Sequence, residues 1–145
     1  MIEKIERDGI VYAIIIRHSF VKEGIEFFTT NDYSQQLGYM NRPEGYIIVP
    51  HRHNLVERKV VMTQEVLLIK SGKVRVDFYD DVQHYFGSKV LTTGDVILLA
   101  AGGHGFEMLE KSEIIEVKQG PYCGEVDKIR FDPISKETIK EYEVR

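Results

Sequence analysis

The chain has 145 residues, 43% of them hydrophobic and 29% charged, with a net charge of −4. That size and mixture suit one soluble globular domain whose core needs no staples to fold. Acids and bases are interspersed without a basic block, which speaks against a nucleic-acid partner. The single cysteine, Cys123, excludes an internal disulfide and fits a reducing cytoplasm.

The first apolar run, Ile10 to Ile16, is rich in β-branched residues and reads as a strand. It is too short to span a bilayer. The mixed charges before it (Glu3, Lys4, Glu6, Arg7, Asp8) and the lack of a small-residue cleavage site do not match a signal peptide. A cytoplasmic protein with no membrane partner is the expectation. A short strand is expected around Ile25 to Phe28, and a long polar loop from Asn31 to Pro43. Beyond Gly45 the punctuation becomes regular. Strands are expected at Tyr46–Val49, Glu65–Lys70, Lys73–Tyr79, Lys89–Leu91, Val96–Leu99, His104–Leu109 and Glu113–Lys118, separated by glycine, aspartate and serine turns. In Lys73–Tyr79, Val74, Val76 and Phe78 occupy one face and Lys73, Arg75 and Asp77 the other. Near the end, Ser135 is a candidate N-cap for a short helical turn leading into the charged tail Thr138–Arg145. Many short strands at this spacing predict an all-β antiparallel sandwich or barrel. One domain is expected over 1–145: N-terminal strands and loop over 1–44, a core over 45–120 and a C-terminal extension over 121–145.

Three places carry chemistry. His51-Arg52-His53 puts two imidazoles on one face if the segment is extended, a pair suited to Zn, Fe, Ni, Cu or Mn. Glu65 heads the apolar strand and shares a face with Leu67 and Ile69, so if that face looks inward its charge needs a partner. His104 follows the Gly102-Gly103 turn. The plain alternatives are two surface histidines, an exposed strand end and a hydrogen-bonded loop histidine. His18 and His84 read as structural or surface residues, and Cys123 as inert.

Taken together, the stretch from Pro50 to about Val117 resembles the cupin superfamily. Gly45 precedes His51 by the interval of the first cupin motif, His51-Arg52-His53 supplies its H-x-H, and Glu65 is followed after six residues by Gly72. Gly94-Asp95-Val96-Ile97-Leu98-Leu99 and His104 resemble the second motif. The chain departs from the pattern in three ways. Eleven residues separate His53 from Glu65 where the family has three or four, which leaves Glu57 as a competing carboxylate. Ala100 stands in place of proline, and His104 comes one residue early, so that Met108 falls where asparagine is usual. The resemblance implies a closed β-barrel of the jelly-roll type, with His51, His53, Glu65 and His104 around a divalent metal (Zn, Fe, Mn or Ni). Tyr46, Phe106 and Met108 are then candidates to line the substrate cavity.

Such a site leaves a coordination position open for Lewis-acid or oxygen chemistry. The resemblance implies a small-molecule ligand, and a metal-dependent isomerase or epimerase acting on a sugar or sugar derivative is the leading expectation. The alternatives are a metal-dependent dioxygenase, a non-enzymatic binding module, and a metal-free sugar-nucleotide isomerase. The last would need cations for a diphosphate, with Arg17, Arg42, Arg52, Arg58 and Lys59 as candidates. A homodimer is expected, because the continuously apolar Ile10–Ile16 strand asks for cover or edge pairing.

Overall fold

The computed structural model describes residues 1–144. The chain forms two compact units, one made of Met1–Phe20 with Thr63 onward and the other of Val21–Met62. The fold is all-β and antiparallel, and no helix among the described residues is long and apolar enough to cross a membrane.

The larger unit is built on two sheets. Strands β1 (Ile2–Arg7) and β2 (Ile10–Ile16) form a hairpin over the Asp8-Gly9 turn. Strands β3 (Gly24–Phe27) and β4 (Gly38–Asn41) belong to the smaller unit. In the larger unit, β5 (Glu65–Ser71), β6 (Lys73–Tyr79), β7 (Tyr85–Thr92), β8 (Val96–Leu99), β9 (Gly103–Met108) and β10 (Glu113–Lys118) follow. They assemble as a five-stranded sheet in the order β1-β2-β8-β5-β10 and a three-stranded sheet in the order β7-β6-β9. Neither sheet closes into a barrel.

The chain changes sheets between β5 and β6, β7 and β8, β8 and β9, and β9 and β10. These corners are tight. Gly72 turns β5 into β6 with φ +93°, and a Cβ there would lie 2.3 Å from the Lys111 carbonyl, so only glycine fits. The core fills the space between the two inner faces. Ile5, Ala13, Ile15, Leu67, Ile69, Ile97 and Leu99 come from the larger sheet, and Val74, Val76, Phe78, Phe86 and Leu91 from the smaller. Alternation along β6 is what delivers Val74, Val76 and Phe78 to this core.

The opposite face of β6 is not the solvated face that alternation suggests. Asp77 is buried, held by Arg75 through two contacts of 2.7 and 3.0 Å and by the Ser88 hydroxyl at 2.5 Å. A C-terminal strap covers this side. The Tyr79 hydroxyl accepts from the Ile134 amide, Phe131 stands edge-on to Tyr79, and Tyr142 donates from its amide to Ser88 and from its hydroxyl to the Glu6 carbonyl. Ser135 does head a short 3-10 turn, Lys136–Thr138, but its hydroxyl meets Thr138 Oγ1 instead of capping the backbone.

The smaller unit is a two-stranded hairpin and a long segment without regular secondary structure. Phe27 lies over its cross-strand neighbour Gly38, covering the glycine with its ring. The expected loop Asn31–Pro43 therefore contains β4. The expected strand at Tyr46–Val49 is absent, because the segment, though strand-like in composition, belongs to no ladder. Strand β1 lay outside the sequence expectation because its apolar residues, Ile2 and Ile5, are broken up by charges that have partners only in the folded chain.

Candidate functional site

Glu65 and His104 meet. Glu65 opens β5 on the face that carries Leu67 and Ile69, and His104 lies on β9 opposite the buried Phe78. Both side chains therefore point between the sheets, and Glu65 Oε2 lies 3.2 Å from His104 Nε2. The pair is half-sheltered, with side-chain exposures of 13% for Glu65 and 26% for His104. The turn that aims His104 is as constrained as the Gly72 corner. Gly102 has φ +67°, and a Cβ there would lie 2.4 Å from the Tyr79 carbonyl and 2.6 Å from the Tyr12 ring.

A cation completes the cluster. Lys118 pairs with Glu65 across the β5–β10 ladder, so its ammonium comes within 4.0 Å of Glu65 Oε1 and 3.0 Å of Glu116 Oε1. The hydrogen bond to His104 lowers the Glu65 pKa, burial opposes this, and the charges of His104 and Lys118 add to the lowering. Glu65 is thus a carboxylate at neutral pH, held ready to accept a proton, a hydrogen bond or a cation.

Phe106 and Met108 stand on the same face of β9 as His104, opposite Val76 and Val74. The Phe106 ring centroid is 5.4 Å from that of His104. Both apolar side chains are partly exposed because β9 is the outer strand of its sheet. Glu107 points the other way, to Arg75 at 2.6 Å.

His51 and His53 belong to the smaller unit, exposed and outside any strand, so the alternation argument does not apply to them. Their rings are nonetheless neighbours, with centroids 5.5 Å apart, and His51 Nδ1 lies 2.9 Å from the Val49 carbonyl. Tyr46 and Glu57 are exposed in the same unit, and the Arg42 guanidinium stacks 4.5 Å over the Tyr46 ring. Among the described residues no three His, Cys, Asp or Glu side chains converge on one point.

Arg17 is engaged within the fold. Its guanidinium binds Glu3 at 2.5 Å, Asp95 at 2.9 Å and the Val90 carbonyl at 2.7 Å. His18 donates its backbone amide to Asp95 at 2.8 Å, and His84 lies 3.4 Å from Asp80 across a turn. Cys123 is exposed, its thiol 3.3 Å from the Pro121 carbonyl.

Sequence reasoning did not find Lys118, whose role depends on the β5–β10 register. The alternation of Glu116 and Lys118 onto one face was the only available signal. Comparison with known proteins adds nothing to this geometry: no family model, curated protein or solved structure matches the chain.

Proposed function

We propose that this chain is a cupin-like metal-binding domain acting on a small polar molecule, with a sugar or sugar derivative as the substrate class. The observation that carries the reading is the Glu65–His104 contact, which joins a carboxylate and an imidazole from two strands of different sheets at a half-open position. Both donor types suit Zn, Fe, Mn or Ni. Glu65 and His104 would hold the metal, and His51 and His53 are the further donors that the cupin resemblance calls for. Such a metal supplies a Lewis acid for a bound carbonyl or hydroxyl. Phe106 and Met108 offer an apolar wall beside His104. The Lys118 ammonium, 4.0 Å from Glu65, can bind a substrate oxygen and keep Glu65 ionised.

Elemental analysis after incubation with each metal tests this directly. The wild type is expected to retain about one ion per chain, and Glu65→Ala, His104→Ala and His51→Ala to lose it, while Glu57→Ala retains it. A wild-type chain that takes up none of the four metals ends the metal reading.

A second reading is favoured by one observation. Lys118 places a positive charge 4.0 Å from Glu65, and Glu65 Oε2 lies 3.2 Å from His104 Nε2. That is an acid–base pair able to work without metal, as in the proton transfers of an isomerisation. Turnover that survives exhaustive chelation but falls in His104→Ala would favour it.

A further inference from the structure

His104 sits in a run of glycines. Gly102, Gly103 and Gly105 surround it, so the start of β9 has little side chain of its own to hold its backbone in place. Strand β9 is also the outer strand of its sheet, paired with β6 and with no other strand among the described residues. An edge strand weakened by glycine needs packing from elsewhere. Two aromatic rings supply it. His104 faces inward, and Gly103 and Gly105 face the other way, where their missing side chains leave room. A Cβ at Gly103 would lie 3.0 Å from Phe131 Cζ and 3.3 Å from Tyr79 Cβ, and one at Gly105 would lie 3.8 Å from Tyr79 Cε2. The backbone that carries His104 therefore rests on Tyr79, the cross-strand partner of Gly103, and on Phe131.

The two rings are held differently. Tyr79 belongs to β6 and is 4% exposed. Phe131 belongs to the C-terminal strap, which meets the body at four half-buried residues, Phe131, Ile134, Ile139 and Tyr142, with exposed residues between them. At one end the Phe131 ring stands edge-on to Tyr79, with centroids 4.9 Å apart, and the Ile134 amide donates to the Tyr79 hydroxyl at 3.1 Å. At the other end Tyr142 fills a second glycine gap, where a Cβ at Gly87 would lie 2.9 Å from its own Cβ, and its hydroxyl bonds both backbone groups of Glu6. The ion pairs along the strap, Lys136 with Glu107 at 3.8 Å and Lys89 with Glu141 at 3.4 Å, each have an exposed partner and add little. A segment fastened at separate points opens more readily than the ladders beneath it.

We propose that Phe131 is a positioning residue for His104, an inference that rests on Glu65 and His104 being the site. Docking of the strap orders the glycine run and so sets the contact between His104 and Glu65. With the strap docked, the Phe131 ring closes the outer face at Gly103 and the imidazole is aimed at Glu65. With the strap released, β9 keeps its pairing with β6 toward Met108, while the glycines around His104 regain their freedom and the imidazole leaves Glu65. The strap is a latch on the site, and its docked fraction sets the fraction of chains whose pair is ready for a ligand.

NMR of the full chain reads this without recourse to activity. The His104 imidazole resonances, assigned through His104→Gln, are expected to shift in Glu65→Gln. In Phe131→Ala that response is expected to fall at least about twofold, and amide exchange at Gly103 to Gly105 to rise about tenfold, while exchange in β5 and β10 stays as in the wild type. Phe131→Leu, which keeps an apolar side chain against Gly103, is expected to recover most of the response. Tyr142→Phe loosens only the far end of the strap and is expected to leave it whole. Exchange that rises equally across β5, β6 and β10 in Phe131→Ala would make Phe131 a general stabiliser and overturn the positioning role. A full response to Glu65→Gln in Phe131→Ala overturns that role alone. A wild type whose His104 resonances ignore Glu65→Gln overturns the site, and the positioning role with it.

Discussion

Asp95 and Glu65 each present a carboxylate to nitrogen partners from distant strands, yet the two clusters are finished to different degrees. Asp95 is 1% exposed and accepts from the Thr92 amide at 2.9 Å, the His18 amide at 2.8 Å and Arg17 at 2.9 Å. Arg17 in turn binds Glu3, and Glu3 binds Lys89 at 2.9 Å. Every charge there has a partner within the fold. Glu65 has His104 at 3.2 Å and a distant Lys118, and the cluster stays partly open to solvent. A saturated buried network has nothing left to offer a ligand and acts in stability. A half-satisfied pair at an open sheet edge keeps lone pairs and donors for something that arrives.

The sharpest way to break that distinction is to delete each carboxylate and compare stabilities. Asp95→Ala strands Arg17 and two backbone amides in a buried setting, a change expected to cost about 3–5 kcal/mol. Glu65→Ala leaves His104 and Lys118 with access to water and is expected to cost about 1 kcal/mol or less. Urea denaturation of both variants measures the contrast. Equal losses would make Glu65 a structural residue and remove the main support for a site at its position.

How far the sequence foretold each cluster follows from the same difference. The strands Lys73–Tyr79, Val96–Leu99 and Glu113–Lys118 were legible to the residue, because alternation and glycine punctuation are local signals. Glu65 and His104 were legible because each sits at a strand end with an unusual neighbour, a carboxylate heading an apolar run and an imidazole after two glycines. The Glu3–Arg17–Asp95–Lys89 network was not. Its members look like ordinary strand charges; the β1-β2-β8 order brings Glu3, Arg17 and Asp95 together, and Lys89 reaches Glu3 from β7 of the other sheet. Asp77 was assigned to an outer face by alternation. That assignment was right about direction, but it could not anticipate the strap from Phe131 to Tyr142 that buries it. Tyr46–Val49 was read as a strand from composition alone. Composition describes what a segment can pair with, not whether a partner is present in the same chain.

Acid probes the saturated cluster more gently. Burial pushes the Asp95 carboxyl up, but the Thr92 and His18 amides and Arg17 outweigh it and hold it below its ordinary value of 3.8. Glu3 is likewise pushed up by burial and drawn below 4.5 by Arg17 and Lys89. With both carboxyls depressed in the folded state, the unfolded chain takes up protons first as pH falls. The stabilisation they confer is complete above the ordinary carboxylate range and is lost as pH drops through 4.5 and 3.8 toward the folded-state values. Stability measured from pH 7 to pH 3 should therefore fall in that window, and Asp95→Asn should flatten the fall. A variant with the wild-type slope would show that the network is not what acid titrates.

The most local expected effect separates the position of His104 from the fold that carries it. Gly102 is the residue that cannot accept a side chain, since its φ of +67° and the Tyr79 carbonyl at 2.4 Å from a Cβ both oppose one. Gly102→Ala is expected to cost about 1–3 kcal/mol through that strain. β9 stays paired with β6 through six registered residues, so the sheet survives and the displacement concentrates at the strand start, where His104 sits. A shifted His104 loses its 3.2 Å contact with Glu65. The expected signature is a folded protein in which the His104 imidazole resonances, followed by NMR, no longer respond to Glu65→Gln. If the coupling between the two residues persists in Gly102→Ala, the turn does not aim the histidine, and the open cluster is held by its own contact instead of by the backbone around it.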